Sequence, residues 1–285
     1  MKVIRSIAEL RNALKEERAA RPGLAVGFVP TMGYLHEGHA SLLKAARQSC
    51  DTVVLSIFVN PLQFGPGEDY ETYPRDEQRD LAVAEAEGAD YAFLPSVAEM
   101  YPSPTKTKVT VGQVTERLCG ASRPGHFDGV ATVVTKLLNI VQPDRAFFGM
   151  KDAQQVAVIQ QMTLDLNLPV EIVPCPTLRE ADGLARSSRN VYLSEEERKQ
   201  AVVLYEALSL ARSLAEADRQ MTAEELKRHI EAKISSAPLA RIDYAEVLAY
   251  PSLEPVGKLA EAGRVIVALA VKFGRTRLID NMILE

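Results

Sequence analysis

No stretch of this 285-residue sequence is long and apolar enough to span a membrane. Its longest apolar runs, residues 53–59 and 265–271, fall far short of the roughly 20 residues a spanning helix needs. Cysteine is scarce as well. Cys50, Cys119 and Cys175 are widely spaced and form no Cys-x-x-Cys pair, which excludes a disulfide framework and a thiolate zinc site and leaves them as expected small buried hydrophobes. Positive charge is in deficit: 33 Lys and Arg against 38 Asp and Glu leave a net charge of −5, so no overall field can hold a nucleic-acid backbone. No nucleic-acid partner is expected, and an anionic ligand must find local charge. The opening segment MKVIRSIAELRNALKEER is polar and helix-like and lacks the apolar centre of a secretory signal. A cytoplasmic protein without a membrane partner is expected.

What is present suits a globular enzyme. The composition is 47% hydrophobic and 25% charged, which argues against disorder and against a fibrous repeat. β-Branched runs alternate with amphipathic stretches: strands are predicted over 24–29, 52–59, 91–94, 145–148 and 170–173, and helices over 39–49, 76–87, 128–141 and 153–166. That alternation predicts a doubly wound α/β domain with a parallel sheet, whose ligands gather beyond the carboxyl ends of the strands. From about residue 194 the texture becomes charged and Ala-rich, with helices into 222–235 and strands over 242–248, 264–271 and 278–284. A smaller C-terminal α+β domain is predicted, with domains at 1–180 and 181–285 and the boundary between about 176 and 190.

The strand-end rule directs attention to loops rich in Gly, Pro and hydrogen-bonding side chains. After the first predicted strand comes His36-Glu37-Gly38-His39, opening a helix and led by Met32-Gly33. A helix N-terminus offers unpaired N–H groups and a positive dipole end, and two imidazoles add donors for an anion. For an isolated pair, capping or packing of the helix is the commoner reading; zinc is disfavoured, since the spacing is not His-Glu-x-x-His and no third ligand lies nearby. Three of the four histidines, His36, His39 and His126, fall in such loops, and only His229 lies on a solvated helix. After the strand at 145–148, Lys151 can neutralise phosphoryl charge, Asp152 can cap the next helix, and Gln155 lies one turn into it. Arg179 and the run Arg186-Ser187-Ser188-Arg189-Asn190 suit phosphate oxygens, and equally describe a solvated loop at a domain boundary. Gln63 sits between Pro and Gly in a loop where an amide can both donate and accept.

Four stretches in this order, VPTMGYLHEGH, SIFVNPLQFGPGEDYETYPR, RPGHFDGVATVVTKLLNIVQPDRAFFGMKDAQQ and DGLARSSRNVYLS, resemble the pantothenate synthetase family, nucleotidyltransferases with a His-x-x-His signature on a Rossmann-like fold. They span most of residues 29–194. The resemblance implies an ATP-dependent, AMP-forming ligase: the pantoate carboxylate attacks the α-phosphorus of ATP, pyrophosphate leaves, and the β-alanine amine takes the acyl group from the pantoyl adenylate. A different nucleotidyl transfer on the same fold is the alternative, and a nucleotide sensor without turnover is a third reading. The family pattern assigns Met32, Gly33, Tyr34, Leu35, His36, Glu37, Gly38 and His39 to ATP, with His36, His39 and Lys151 catalytic. Gly149, Met150, Lys151 and Asp152, Leu178 by its backbone, and Arg186, Ser187, Ser188 and Arg189 would complete the ATP site. Gln63 and Gln155 would bind pantoate, and Gln63 also β-alanine. Mg²⁺ on the phosphates, a lid role for 181–285 and a homodimer are further implications. Two positions depart from the pattern: Arg186 stands where an apolar residue is more usual, and Tyr34 where a smaller one is.

Overall fold

The computed structural model describes all residues, 1–285, and its chain divides into two compact units. Unit 1 comprises Met1–Val111, Arg123–Met150 and Val158–Pro176; unit 2 comprises Gly112–Ser122, Lys151–Ala157 and Thr177–Glu285.

Unit 1 is built on six parallel strands: β1 (Lys2–Ile4), β2 (Val26–Thr31), β3 (Thr52–Ile57), β4 (Tyr91–Phe93), β5 (Arg145–Gly149) and β6 (Glu171–Cys175). Its helices are α1 (Ile7–Ala20), α2 (Glu37–Ser49), α3 (Glu77–Ala86) and the short α4 (Val97–Met100). A further short helix, α5 (Cys119–Ser122), belongs to unit 2, and α6 (His126–Val141) to unit 1; α7 (Ala153–Asp165) contributes its first turn to unit 2 and the rest to unit 1. The strand order is β1-β4-β3-β2-β5-β6. Central strands read as nearly unbroken apolar runs because a parallel sheet is covered on both faces: every residue of β3 from Thr52 to Ser56 is buried. The expected doubly wound sheet is therefore present. One element differs: the polar N-terminus, read as helical throughout, begins with β1, which pairs with β4 at the sheet edge before Ser6 caps α1. Three residues are too short for period-2 alternation to register against the strong helical signal behind them.

After edge strand β1 the chain passes to the middle of the sheet at β2, fills one side through β3 and β4, then returns to place β5 and β6 on the other. The winding reverses between β2 and β5, where a ligand crevice is expected at the carboxyl ends. The ladder between these neighbours is confined to Gly27↔Arg145 and Phe28↔Ala146, so their carboxyl ends run on unpaired with each other.

Unit 2 carries an antiparallel sheet in the order β7 (Ala240–Ala249), β8 (Val265–Phe273), β9 (Thr276–Leu284). Against it pack α9 (Val203–Ala217) and α10 (Ala223–Ser235), preceded by α8 (Glu195–Ala201), with Leu204, Leu208, Leu226, Ile230, Val267 and Leu269 in one core. Capping boxes start α8 at Ser194 with Glu197, and α10 at Thr222 with Glu225, each satisfying two otherwise orphaned N–H groups.

Candidate active site

In unit 1 the loop after β2 is shaped by hydrogen bonds from distant residues. Gly33 has φ +84° and Tyr34 φ +51°, left-handed values that carry the chain sharply away from the sheet. A Cβ at Gly33 would come within 2.9 Å of Asp80 Oδ2, so the loop closes directly onto that carboxylate. Asp80, buried in α3, accepts from Tyr34 N (2.8 Å) and Leu35 N (2.6 Å). Burial is the largest influence on its pKa and raises it, against the lowering by those two N–H groups. Arg79, the residue before Asp80, lies over the Tyr34 ring at 4.9 Å.

That turn delivers His36 to the N-cap of α2. His36 Nδ1 accepts from Gly38 N at 3.0 Å, and His39 Nδ1 accepts from His36 N at 3.2 Å. Both the capping reading and the phosphate reading of the pair are thus compatible. An Nδ1 that accepts a backbone N–H cannot itself carry the proton, so each neutral ring holds its hydrogen on Nε2. The rings lie 4.1 Å apart with planes at 40°, two Nε2–H donors beside the positive end of α2.

The Gln63 loop belongs to the same unit. Gln63 Nε2 contacts Met32 Sδ at 3.2 Å, so two residues expected to line the site do meet. Asn60, buried three residues beyond β3 at the cap of the 3₁₀ turn Pro61–Gln63, is an organiser that no local signal in the sequence marks. Its Nδ2 donates to Gln63 Oε1 (3.2 Å) and to the Gly129 carbonyl (3.1 Å), while its Oδ1 accepts from Leu62 N (3.3 Å) and Tyr101 Oη (2.9 Å). Burial pushes the Tyr101 phenol up to about 12, so it remains a donor throughout the working range. The loop is also latched from α6. Glu68 takes a two-pronged ion pair from Arg123 (2.6 and 2.7 Å), Arg123 reaches His126 Nε2 (3.1 Å), and His126 Nδ1 lies 2.9 Å from the Gln63 carbonyl. A carbonyl only accepts, so His126 donates from Nδ1 and accepts the guanidinium at Nε2. The Arg123 hydrogen bond holds the Glu68 carboxyl below the usual carboxylate range.

Gly149 ends β5 and Met150 follows it, both in unit 1, whereas Lys151, Asp152 and Gln155 belong to unit 2. Residues Met150–Asp152 form a 3₁₀ turn that runs straight into α7. Beyond Gln155, the neighbouring Gln154 is buried and ties down the segment leading to α5: it accepts from Cys119 N (3.0 Å) and donates to the Val114 and Arg117 carbonyls (2.9 and 2.8 Å). The predicted donor loop of unit 2 is a folded hairpin. Arg179 bridges Ala185, Arg186 N donates to the Leu178 carbonyl (2.9 Å), and Ser187 Oγ caps the 3₁₀ turn Ser188–Tyr192 by accepting from Arg189 N (3.2 Å). Arg198 holds Glu180 (2.7 Å) and Asp182 (2.8 Å) across the hairpin tip. Leu178 is exposed, and its carbonyl accepts from Arg186 N.

A family model described as pantoate-beta-alanine ligase matches residues 2–283. The chain belongs to that family. As a pantoate–β-alanine ligase it is an ATP-dependent enzyme that joins an acid to an amino acid. The ligase is 56% identical to the pantothenate synthetase of Caldicellulosiruptor bescii, over 100% of this chain and 99% of the relative. A crystal structure of pantothenate synthetase from Thermus thermophilus superposes with a TM-score of 0.90 at 49% identity, covering 99% of both chains. The pantoate-beta-alanine ligase of Francisella tularensis, complexed with beta-gamma ATP and beta-alanine, matches with a TM-score of 0.79 at 34% identity over 99% of this chain and 97% of that one.

Proposed function

We propose that this ligase makes pantothenate in two steps on one site, with the strand-end loops dividing the work. A carboxylate resists amine attack because oxide is a poor leaving group. Attack of a pantoate carboxylate oxygen on the α-phosphorus of ATP forms the acyl–phosphate bond and expels pyrophosphate. The β-alanine amine then attacks the carbonyl of the pantoyl adenylate, AMP leaves with the bonding pair, and the amine gives up a proton. No covalent bond to the enzyme is needed, so catalysis is positioning and charge stabilisation.

The observation that carries this reading is the pair of imidazoles whose Nδ1 atoms both accept backbone N–H groups, which puts the ring hydrogens on Nε2 at the start of α2. His39 and His36 donate to the nucleotide phosphates, and Met32, Gly33, Tyr34, Leu35, Glu37 and Gly38 shape their surroundings. Gly149 and Met150 face the nucleotide, Lys151 neutralises charge on the phosphates, and Asp152 meets the ribose. Leu178 reads adenine through its backbone, and Arg186, Ser187, Ser188 and Arg189 hold the triphosphate. Gln63, oriented by Asn60, binds pantoate with Gln155 and also meets β-alanine.

The chain has no group of three or more His, Cys, Asp or Glu side chains able to hold a metal. Mg²⁺ entering with ATP would supply neutralisation of phosphate charge beside Lys151. Residues 1–180 serve as the nucleotide and pantoate body and 181–285 as a lid; the enzyme works in the cytoplasm as a homodimer. AMP, not ADP, should accumulate only when ATP, Mg²⁺, pantoate and β-alanine are combined. Pantoate and ATP alone should leave a bound pantoyl adenylate. ADP as product, or no adenylate, refutes the reading.

A further inference from the structure

Lys151 and the 178–189 hairpin are more than 20 residues apart in sequence, yet two consecutive residues of β9 hold both. Asp280, buried at 2% exposure, pairs with Arg179 through both carboxylate oxygens, Oδ2 to Nη1 at 2.6 Å and Oδ1 to Nη2 at 2.9 Å. Arg179 also donates to the Gly183 carbonyl (3.1 Å) and lies over the Tyr205 ring at 4.8 Å, so the pair sets the whole hairpin. Asn281, the next residue, donates from Nδ2 to the Lys151 carbonyl at 2.9 Å. The two also lock each other: Asn281 N donates to Asp280 Oδ1 at 2.8 Å, and the Asn281 carbonyl accepts from Arg179 Nη2 at 3.4 Å.

These two side chains sit in a strand paired residue by residue with β8, at Asp280↔Leu269 and Asn281↔Ala268. Consecutive strand residues project to opposite faces, so one position reaches the hairpin and the next reaches the Lys151 turn. Two polar groups buried between the apolar residues Ile279 and Met282 of β9 are costly unless their hydrogen bonds are made. Here the Asp280 carboxylate pairs with Arg179 of the hairpin and the Asn281 amide donates to the Lys151 carbonyl, so the bonds reach both segments assigned to the nucleotide. We propose that Asp280 and Asn281 are positioning residues that register the Lys151 turn and the hairpin carrying Leu178 and residues 186–189 from a single strand. This rests on the assignment of Lys151 to the phosphates.

The test is a double-mutant cycle on the full-length enzyme, read as AMP release under saturating pantoate, β-alanine and ATP. Asn281→Ala should lower kcat about tenfold, the size of one lost buried hydrogen bond, with the KM for pantoate unchanged. In a Lys151→Ala background the same change should cost less than twofold, because the group it aims is gone. Asn281→Leu, which keeps the packed volume, should reproduce both results if the alanine variant folds poorly. Asp280→Asn with Arg189→Ala forms a second cycle with the same expected non-additivity. An equal loss in both backgrounds, or no loss from Asn281→Ala or Asn281→Leu, overturns the proposal. Near-normal turnover of Lys151→Ala alone instead overturns the assignment beneath it.

Discussion

Replacing Asp80 by alanine should cripple the histidine loop without touching a histidine. The carboxylate is the acceptor for Tyr34 N and Leu35 N, and both N–H groups lie in a turn held at left-handed φ values. Stranding two buried donors costs about 1–3 kcal/mol each. Removing a buried carboxylate whose pKa is raised by desolvation returns part of that, leaving a net loss of about 3 kcal/mol. The first thermal transition should fall by roughly 5–10 °C. Turnover should fall at least tenfold, because the turn that delivers His36 to its cap position is no longer held. Asp80→Asn should be intermediate: its Oδ1 can accept one N–H while its NH₂ opposes the other. The pH signature separates loop from fold. Since the folded pKa is raised, this group's contribution to stability is fully present below its unfolded pKa and is lost as pH rises through the folded one. The ionised form, however, is the one that accepts both N–H groups. Acidification should therefore lower activity, starting above the ordinary carboxylate range, while the Asp80 contribution to stability increases, and Asp80→Asn should abolish both trends. Calorimetry and AMP-release kinetics on the same samples measure these. An alanine variant with an unchanged melting temperature and unchanged kcat/KM refutes the reasoning.

His39→Gln can place a donor near the Nε2 position, whereas His39→Asn can only mimic the Nδ1 acceptor. The glutamine variant should retain more turnover than the asparagine variant, which should lose roughly 10²; the opposite order would show that capping is the only role. Glu68 has its pKa lowered by Arg123, so its contribution to stability is present above the unfolded pKa and lost as pH falls through the folded one. Glu68→Gln should flatten that acid-side loss in a melting-temperature profile and raise the KM for pantoate, and an unchanged profile would count against the latch. Gly129→Ala would put a Cβ 2.3 Å from the Leu62 carbonyl and 2.6 Å from Gln63 Cα, so α6 and the Gln63 loop cannot keep their spacing. A loss of about 3 kcal/mol in urea unfolding is expected, and a neutral substitution would contradict the packing.

The boundary between what could be read and what could not follows the range of the interactions. Helix starts were legible because their signals are local: Thr222 and Glu225, or Ser194 and Glu197, lie three residues apart, and the strands of the parallel sheet announce themselves as apolar runs bounded by Gly, Pro and Asn. The His36 to His39 spacing likewise carried its own geometry, since a capping pair is contained within one turn. β1 was hidden because three residues in front of a strongly amphipathic helix carry too little pattern.

By itself the sequence determined the alternation of elements, the chemical inventory of the strand-end loops and the family signature. Tertiary structure alone decided which carboxylate shapes the loop before the two imidazoles. The same holds for the partners of Asn60, Asp280 and Asn281. Asp80 to Leu35 spans 45 residues, Asn60 to Gly129 spans 69, and Asn281 to Lys151 spans 130. A polar residue on an apolar helix face, as Asp80 is beside Ala84, hints that a partner exists. Which donor it meets depends on strand order and register, and these are fixed only when the whole core packs.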